Sequence, residues 1–278
     1  MMCVFTLLVL CWSSVLVDSS VRIGAFNIKH FGDSKMRDSV VADQIKRIVS
    51  GYDIILLQEV RDKDESSLVT LRNMLQSDLP DKKFQFVASW PLGRSSQYKE
   101  QYAYFYRTKT VTIIDTYQFN DTNYGDVFER EPFSVFVRVA SKERSLELAL
   151  IGLHAQPTNA MAEINALDHV VLAVLARWQP KNLVVLGDLN ADCRYAKEAD
   201  LDATSVFTDF TPLIGHDADT TVKTSTTCAY DRINVHGSEL KQKIIQHGVD
   251  DFEKNMGLTS TEAYDVSDHF PVDFSIDV

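Results

Sequence analysis

Leu183-Val184-Val185-Leu186-Gly187-Asp188-Leu189-Asn190 joins a short apolar run to a polar cluster. Short apolar runs bounded by turn residues are typical of buried strands, and open α/β sheets place functional side chains where strands end. The same context recurs at Phe26-Asn27, Gln58-Glu59, Leu153-His154 and Ser267-Asp268-His269-Phe270-Pro271. We therefore expect several strands to deliver polar side chains to one rim of a sheet.

The spacing of apolar residues predicts strands and helices along the whole chain. Predicted strands occupy residues 21–28, 53–57, 83–88, 102–106, 111–117, 134–139, 146–153, 183–186, 232–236 and 272–276, and predicted helices occupy 39–50, 68–79 and 161–178. The last helix has the clearest i, i+3, i+4, i+7 pattern, and short connections mid-chain favour antiparallel hairpins. Two mixed, mainly antiparallel sheets packed face to face, with helices outside each, would bury both faces of both sheets. We therefore predict an α/β fold, a four-layer α-β-β-α sandwich.

Residues 1–20 have the character of a secretory signal peptide. Their apolar stretch is too short to cross a bilayer comfortably, and Val17 precedes the small residues Ser19 and Ser20, although the usual Lys or Arg is missing. A buried N-terminal strand is the alternative, but another strand-like run begins at Val21. No later segment has the length and apolar character of a membrane span, and residues 21–278 contain no linker, repeat or low-complexity tract. We expect one domain in a secreted, soluble monomer.

Cysteine content and net charge indicate the redox compartment and the kinds of binding partner. Cys3 and Cys11 would leave with the signal peptide, so Cys193 and Cys228 remain. An extracellular pair favours a disulfide over two free thiols or half of a metal site. The formal net charge is −11 at pH 7, and an acidic chain is not an obvious partner for a polyanion. Nucleic-acid binding would therefore depend on a local basic strip and on bound cations.

Carboxylates and an amide form a candidate metal cluster. Asp188 and Asn190 are two positions apart, so an extended segment would point both side chains the same way, although Asp and Asn also favour turns after strands. Glu59 and Asp268 occupy comparable positions. Mg²⁺ needs only one or two carboxylates, because water and substrate oxygens complete its coordination. The alternative for each is a solvated carboxylate beside a strand.

His154 and His269 are the candidate proton-transfer residues, because histidine titrates near neutral pH. Glu100 and Asp231 could orient them and stabilise the imidazolium form. We assign structural positions to the remaining histidines, which are His30, His169, His216, His236 and His247. The absence of Gly-x-Ser-x-Gly, His-Glu-x-x-His, Walker and paired Cys-x-x-Cys motifs disfavours serine-nucleophile, zincin and NTP hydrolysis. Metal-assisted hydrolysis fits the candidate residues best.

Ten short stretches, taken together, resemble the deoxyribonuclease I family of the endonuclease/exonuclease/phosphatase superfamily. They are Ala25-Phe26-Asn27-Ile28, Gln58-Glu59-Val60-Arg61-Asp62, Pro91-Leu92-Gly93-Arg94, Tyr98-Lys99-Glu100, Arg130-Glu131-Pro132, Leu153-His154, Gly187-Asp188-Leu189-Asn190-Ala191-Asp192-Cys193, Asp219-Thr220-Thr221, Cys228-Ala229-Tyr230-Asp231-Arg232-Ile233 and Ser267-Asp268-His269-Phe270-Pro271. The resemblance covers essentially all of residues 21–278. Each stretch is weak alone, but their order and spacing together are highly specific.

The resemblance implies a secreted, divalent-metal-dependent endonuclease that cuts double-stranded DNA with little sequence preference and leaves 5′-phosphate ends. It pairs Glu100 with His154 and Asp231 with His269. His269 is favoured as the base that activates water, and His154 as the acid that protonates the leaving 3′ oxygen. The catalytic Mg²⁺ and phosphate cluster falls on Asn27, Glu59, Asp188, Asn190 and Asp268. The DNA contacts fall on Arg61, Arg94, Tyr98, Arg130 and Tyr230.

The resemblance also implies structural ions and a covalent link. The family disulfide matches Cys193 and Cys228. One structural Ca²⁺ site maps onto Asp219 and Thr221. A second maps onto Asp121, Asp126, Glu131 and the carbonyl of Phe128, where an ordinary acidic hairpin is the alternative because the loop is short and lacks the second disulfide of some relatives. The glycosylation sequon Asn120-Asp121-Thr122 lies in the same loop.

Departures from the family limit the expected partners. The end of the chain carries no Lys/Arg-rich tail, so the resemblance gives no support for attack on membrane-wrapped or compact chromatin DNA. It also carries no apolar tail for a lipid anchor, so we expect no membrane attachment. Some members bind actin through a small aliphatic patch, near which this chain has Ala88 and Phe133, a combination that disfavours actin binding.

Two rival functions stay open. One is a superfamily phosphodiesterase acting on a lipid or inositol phosphate, which Tyr98-Lys99-Glu100 and residues 228–233 disfavour. The other is a non-catalytic DNA-binding or actin-binding relative, which the complete set of competent catalytic side chains disfavours.

Overall fold

A computed structural model describes residues 20–62, 64–81, 83–140 and 145–278. The predicted signal peptide, apart from Ser20, lies outside these residues. In chain order the strands of the described residues are β1 (Ser20–Phe31), β2 (Ile54–Val60), β3 (Phe84–Ala88), β4 (Gln101–Arg107), β5 (Val111–Gln118), β6 (Phe133–Val139), β7 (Leu146–Gly152), β8 (Leu183–Asp188), β9 (Thr211–Pro212), β10 (Asp231–His236), β11 (Ile244–Val249) and β12 (Val272–Asp277).

Short and long helices connect these strands. They are α1 (Asp33–Arg37), α2 (Ser39–Val49), α3 (Ser66–Asp78), α4 (Ala160–Trp178), α5 (Glu198–Leu201), α6 (Ser205–Thr208), α7 (Ser238–Lys243), α8 (Phe252–Met256) and α9 (Ser260–Val266). Side-chain caps fix the start of two of them. Asp38 accepts hydrogen bonds from the first amides of α2, and Thr259 and Glu262 form a capping box on α9.

The strands form two six-stranded mixed sheets. The first sheet has the order β11-β12-β1-β2-β4-β3, and the second has the order β5-β6-β7-β8-β10-β9. Ile23, Leu56, Val135, Leu150 and Val184 belong to the apolar layer between the sheets. This arrangement confirms the predicted pair of packed sheets.

Helices cover the outer face of each sheet. Leu71 of α3 and Ile45 of α2 lie with Ile55 in the apolar cluster on the outer face of the first sheet, which α9 also joins. On the second sheet, α4 contributes the buried residues Ile164 and Val170 to the corresponding cluster. The predicted four-layer α-β-β-α sandwich is confirmed.

Strand direction explains why polar residues gather at one edge. β1 and β2 are parallel, as are β7 and β8, so each pair ends at the same edge of its sheet. β12, β4 and β10 run antiparallel to β1, β2 and β8 respectively, so these three strands begin at that edge. Residues that follow one set of strands and residues that precede the other set are therefore neighbours at a common rim.

Some strands and helices were not predicted from the sequence, and the polar cluster at Asp268 and His269 lies elsewhere in the fold than expected. β11 was not predicted, because Ile244–Val249 is largely exposed and its residues do not alternate between polar and apolar. The short helices α8 and α9 were also missed. Asp268 and His269 follow α9 and precede β12, so they do not end a strand as we expected; they reach the rim because β12 begins there.

One expectation about membrane spans is wrong as stated. Among the residues that the structure describes, one helical stretch, Pro157–Trp178, is long and apolar enough to cross a bilayer by length and composition alone. In the structure one side of this helix packs against the second sheet, and its Glu163 is fully buried there.

Candidate active site

Irregular backbone at the ends of β1 and β2 brings the first polar side chains to the rim. The register of this strand pair shifts between Asn27 and Phe31, and Glu59 adopts a left-handed conformation with φ of 58°. Bulges of this kind redirect side chains beside active sites. Nδ2 of Asn27 donates to Oε1 of Glu59 at 3.2 Å and to Oδ2 of Asp188 at 3.0 Å. Asn27 therefore links the ends of both sheets.

Gln58 makes a second link between the sheets, and the sequence analysis gave it no role. Its Nε2 donates to the carbonyl of Leu153 at 2.8 Å, and its Oε1 accepts from the amide of Asp188 at 3.0 Å. Gly187 makes room for this contact, because a Cβ at that position would lie 2.4 Å from the Leu153 carbonyl and 2.7 Å from the Gln58 amide nitrogen. The ends of β2, β7 and β8 are thus held together by one buried amide.

His154 and Glu100 form the first imidazole–carboxylate pair. Nδ1 of His154 lies 3.1 Å from Oε2 of Glu100, and both side chains are buried. Arg61 and Arg130 also approach this carboxylate, at 3.0 Å and 3.4 Å. Burial opposes ionisation of Glu100, but the hydrogen bond and charge of His154 and the two guanidinium charges outweigh it and lower its pKa to about 2. Glu100 therefore remains an anion at neutral pH.

His269 and Asp231 form the second pair. Nδ1 of His269 lies 2.7 Å from Oδ2 of Asp231, whose side chain is completely buried at the start of β10. Burial opposes protonation of His269, but the charges of Asp231 and Asp188 outweigh it and raise the pKa of His269 to about 10. The imidazolium form is therefore favoured in the metal-free protein.

The two pairs meet at Asp188. Nε2 of His154 lies 3.5 Å from Oδ2 of Asp188, and Nε2 of His269 lies 3.7 Å from the same oxygen. Burial opposes ionisation of Asp188, yet the two histidines hold its pKa below the usual range. The structure therefore brings both predicted histidine–carboxylate pairs to one point, with the second ring nitrogen of each histidine near the same oxygen of Asp188.

Asn190 reaches this point by a different route from the one we expected. It has a φ of 49°, so the segment after β8 is not extended and its side chain does not align with that of Asp188 by strand alternation. Instead Asn190 donates its backbone N–H to Oδ1 of Asp188 and its Nδ2 to the carbonyl of Ala155, both at 3.0 Å. The turn that the sequence analysis treated as the alternative therefore itself positions the amide.

Asp268 and His269 are held in place by the residue before them. Oγ of Ser267 donates to the carbonyl of Asn27 at 2.6 Å and accepts from the amide of His269 at 3.1 Å. A cleft of about 310 Å³ results, lined by Asn27, Glu59, His154, Pro157, Asp188, Asn190, Tyr195, Thr221, Lys223, Thr226, Tyr230, Asp268 and His269. All five predicted metal-cluster residues and both histidines line this cleft.

The sequence model of the Endonuclease/Exonuclease/phosphatase family matches residues 24–269, a span that begins just before Asn27 and ends at His269. The chain belongs to this family. Within this family, the curated relatives of the chain confirm the resemblance to the deoxyribonuclease I group. Nucleases of the family depend on divalent metal ions.

Curated relatives match this family member over most of their length. Deoxyribonuclease-1-like 2 of Mus musculus is 43% identical over 93% of this chain and 92% of that protein. Deoxyribonuclease-1 of Gallus gallus is 42% identical over 94% and 93%, and deoxyribonuclease gamma of Homo sapiens is 38% identical over 92% and 86%.

Solved structures of more distant proteins share the fold. A humanized TDP2 of D. rerio superposes with a TM-score of 0.61 at 14% identity, covering 94% of this chain and all of that one. The human Nocturnin catalytic domain has a TM-score of 0.57 at 16% identity, covering 92% and 94%. These likenesses support the four-layer fold of the endonuclease/exonuclease/phosphatase family.

The predicted DNA-contacting residues lie at different depths. The guanidinium of Arg61 stacks on the ring of Tyr98 at 3.9 Å, beside a hollow of about 330 Å³, and Tyr230 lines the cleft. Arg130 is largely buried behind Glu100. Arg94 does not line the cleft, and its guanidinium lies 3.6 Å from Asp126 in the predicted calcium loop. The structure thus gathers Arg61, Tyr98 and Tyr230 near the cleft but not Arg94.

Several basic and aromatic side chains near the cleft were missed. Nζ of Lys29 and Nζ of Lys223 lie 3.4 Å and 5.0 Å from the ring centre of Tyr264. Tyr195 packs against Tyr230 at 5.5 Å. Their spacing along the chain is too irregular to group them before the fold is known, so only their positive charge or aromatic character could have suggested a role.

His30 lies beside one of the predicted metal-cluster residues. It donates its backbone N–H to Oε2 of Glu59 at 2.9 Å, and its ring nitrogen lies 3.6 Å from the same oxygen. The bulge that redirects Glu59 brings His30 beside it. Strand periodicity could not have indicated this contact.

Three of the predicted calcium ligands lie close together in one loop. Oxygens of Asp121, Asp126 and Glu131 lie within 4.8 Å of one another, and Oδ2 of Asp121 accepts from the amide of Phe128 at 2.9 Å. Burial, together with the charges of Asp121 and Asp126, raises the pKa of Glu131. Such a crowded set of carboxylates suits a hard cation.

At the predicted calcium position of Asp219 and Thr221, internal hydrogen bonds already engage the carboxylate. Oδ1 of Asp219 accepts from the amide of Thr221 at 3.0 Å and from its hydroxyl at 2.7 Å. Thr221 also lines the catalytic cleft. A cation held by these two residues would therefore lie close to the catalytic centre.

A disulfide joins Cys193 to Cys228, as predicted. It connects the loop after β8 to the loop before β10. Asp192 reinforces the link, because its Oδ2 accepts from the amide of Ala229 at 2.7 Å. The bridge therefore ties together the loops that carry Asn190 and Tyr230.

The two residues considered for an actin-binding patch differ in exposure. Ala88 lies at the end of the edge strand β3 and is half-buried, whereas Phe133 is buried beside Tyr104 between the sheets. The buried ring of Phe133 therefore adds no exposed aliphatic surface beside Ala88.

Proposed function

We propose that this chain is a secreted endonuclease that hydrolyses phosphodiester bonds of double-stranded DNA with little sequence preference, leaving 5′-phosphate ends. Relatives named as deoxyribonucleases support the choice of substrate. The observation that carries the proposal is the placement of two imidazole–carboxylate pairs about Asp188. Their Nε2 atoms lie 3.5 Å and 3.7 Å from one of its oxygens.

In the proposed reaction the two histidines move protons on opposite sides of one phosphate. His269 accepts a proton from the attacking water at Nε2, while Asp231 holds its Nδ1–H and stabilises the imidazolium that forms. Attack on phosphorus breaks the bond to the 3′ oxygen, which takes a proton from Nε2 of His154. Glu100 fixes the orientation of His154 in the same way.

The residues that line the cleft fit a hard divalent cation, which we propose is Mg²⁺. Glu59, Asp188 and Asp268 supply carboxylates, and Asn27 and Asn190 supply amide groups, whereas no thiol lines the cleft among the described residues. A cation bound there would bring positive charge to the phosphate oxygens and offset the carboxylate charge that keeps His269 protonated.

Cationic and aromatic residues beside the cleft support DNA binding despite the net charge of −11. Arg61 stacked on Tyr98 suits insertion into a minor groove, which is read by its width more than by base identity. Tyr230, Arg130, Lys29 and Lys223 extend the proposed contact surface toward the phosphates. Arg94, which pairs with Asp126, contributes through the neighbouring loop.

We further propose that Ca²⁺ stabilises the protein. Asp121, Asp126, Glu131 and the carbonyl of Phe128 would hold one ion, and Asp219 and Thr221 would help to hold another. The close approach of the three carboxylates supports the first site.

The proposed setting is extracellular, and the proposed active form is a monomer. The disulfide supports an oxidising compartment. The exposed Asn120 supports use of its sequon for glycosylation. We do not propose actin binding, because buried Phe133 offers no surface for it.

Nicking of supercoiled plasmid by the secreted protein tests the proposed function. With Mg²⁺ and Ca²⁺ present we expect open-circular and then linear DNA with 5′-phosphate ends, and with EDTA we expect none. Labelled sphingomyelin and inositol phosphates, assayed in parallel, should remain intact. Hydrolysis of either lipid-type substrate without DNA nicking would replace our proposal with the rival phosphodiesterase, and failure to cleave any substrate would favour a binding protein.

A further inference from the structure

Glu163 is a completely buried carboxyl group for which the proposed reaction has no role. It lies in the first turn of α4, outside the lining of the cleft. Its Oε1 accepts hydrogen bonds from the backbone amides of Glu129 and Gln156, both at 3.2 Å. These amides belong to different loops, so one oxygen of Glu163 ties the two loops together.

One of these loops carries His154, which lines the catalytic cleft, and the other carries Arg130, which contacts both His154 and Glu100. Gln156 follows His154 by two positions, and Glu129 directly precedes Arg130. Nε of Arg130 donates to the carbonyl of His154 at 3.1 Å, and its Nη1 lies 3.4 Å from Oε2 of Glu100. The loops that Glu163 joins therefore determine the relative positions of His154, Arg130 and Glu100.

The surroundings of Glu163 argue against a role in stability alone. Its Oε2 has no hydrogen-bond partner among the described residues, and neither does the nearby Nη2 of Arg130. Burial raises the pKa of Glu163 to about 7, although the two amides and the charge of Arg130 oppose the change. A buried carboxyl group with an unpaired oxygen destabilises a fold relative to a well-packed apolar side chain. We therefore look for the role of Glu163 in the two backbone amides that its Oε1 binds.

We propose that Glu163 is a positioning residue that sets the distance between the loop of His154 and the loop of Arg130, and through them the orientation of the Glu100–His154 pair. This inference rests on the proposed nuclease function. It assigns Glu163 no contact with substrate or metal.

The test compares Glu163→Ala with Glu163→Gln in plasmid nicking, measuring kcat and KM separately. We expect Glu163→Ala to lower kcat by roughly 10-fold to 100-fold, because small misplacements of a catalytic group have effects of that size. KM should change by less than about 3-fold, since Glu163 itself makes no contact with DNA in the proposed complex. Glu163→Gln keeps an amide oxygen that can accept both backbone N–H groups, so its kcat should stay within about 3-fold of the wild type.

A buried carboxylate far from the cleft provides the control. Asp53, immediately before β2, accepts from the amide of Arg22 at 3.0 Å and from the hydroxyl of Thr110 at 2.8 Å. Asp53→Ala should lower the melting temperature without changing kcat. If Glu163→Ala behaves like Asp53→Ala, or if Glu163→Ala and Glu163→Gln lose kcat equally, the positioning role is wrong.

A folding failure of Glu163→Ala would leave Glu163→Asp as the decisive variant. The shorter side chain keeps the carboxyl group but cannot reach both loops, so a folded protein with reduced kcat supports the inference and wild-type kcat overturns it. A wild-type protein that does not cleave DNA would instead contradict the proposed function itself.

Discussion

His154 and His269 approach the same oxygen atom of Asp188, at 3.5 Å and 3.7 Å. Each histidine has its other ring nitrogen bound to a carboxylate, Glu100 or Asp231. The two remaining ring nitrogens are therefore oriented toward one carboxylate oxygen in the cleft. This relationship leads directly to the first prediction.

Replacing either histidine should stop catalysis without unfolding the protein. His154→Ala and His269→Ala should each lower kcat for plasmid nicking by about 10²-fold to 10⁴-fold, the usual contribution of a general acid or base. The matched control is His236→Ala, because His236 lies at the far end of β10, where its ring contacts the carbonyl of Asp209 and the ring of Phe210 and does not line the cleft. Near-wild-type nicking by His154→Ala would remove it from the mechanism.

Glu100 should make the stability of the protein depend on acid pH. Its pKa is about 2 in the folded chain and about 4.3 when unfolded, so its ionised form contributes stability that is fully present above about pH 4.3 and is lost as the pH falls toward 2. The shift corresponds to about 3 kcal/mol. Urea unfolding of Glu100→Gln should therefore show a smaller loss of unfolding free energy between pH 5 and pH 3 than the wild type.

The control for this pH dependence is Glu147→Gln. Glu147 pairs with Arg138 at 2.8 Å on the exposed surface, where ion pairs contribute little. This variant should lose stability between pH 5 and pH 3 as steeply as the wild type. If Glu100→Gln has the same slope as well, the buried pair does not couple folding to pH.

The disulfide should contribute to stability and not to chemistry. Its closed loop spans 35 positions, for which the chain-entropy model gives about 4 kcal/mol. The double variant Cys193→Ser with Cys228→Ser should melt about 10 °C lower while retaining most of its nicking rate at room temperature. Superimposable melting curves of the variant and the wild type would contradict the stabilising role.

Cations beside the cleft should control how strongly salt inhibits the reaction. Arg61→Gln and Lys223→Gln should each reduce the slope of log(kcat/KM) against log[salt] by about 1, because each removes one positive charge that would lie against the DNA. Arg138→Gln removes a cation on β6 that is paired with Glu147, and it should leave the slope unchanged. Equal slopes for all three variants would mean that DNA does not lie along Arg61 and Lys223.

The predicted strands were recovered because buried strands carry a strong local signal. Residues 183–186 form a continuous apolar run, and they lie fully buried in β8. Ile244–Val249 has no such signal, because this edge strand is mostly exposed and is held by its pairing with β12. Tertiary pairing alone makes it a strand.

The side chains that line the candidate site could be named from the sequence, but the buried contacts that position them could not. His154, His269 and their carboxylates could be named because imidazole and carboxylate chemistry is specific. The buried contacts of Gln58, and the bulge that sets His30 against Glu59, join residues more than 25 positions apart. The type of a side chain does not indicate which distant residue it contacts, so these contacts could be identified only from the structure.

Each histidine and its carboxylate come from different sheets. Glu100 precedes β4 of the first sheet and binds His154 after β7 of the second, whereas His269 precedes β12 of the first and binds Asp231 of β10 in the second. Neither half of the sandwich thus holds a complete pair. Any separation of the halves disables both proton carriers simultaneously, so recovery of enzymatic activity after denaturation reports the docking of the sheets and not the formation of either one alone.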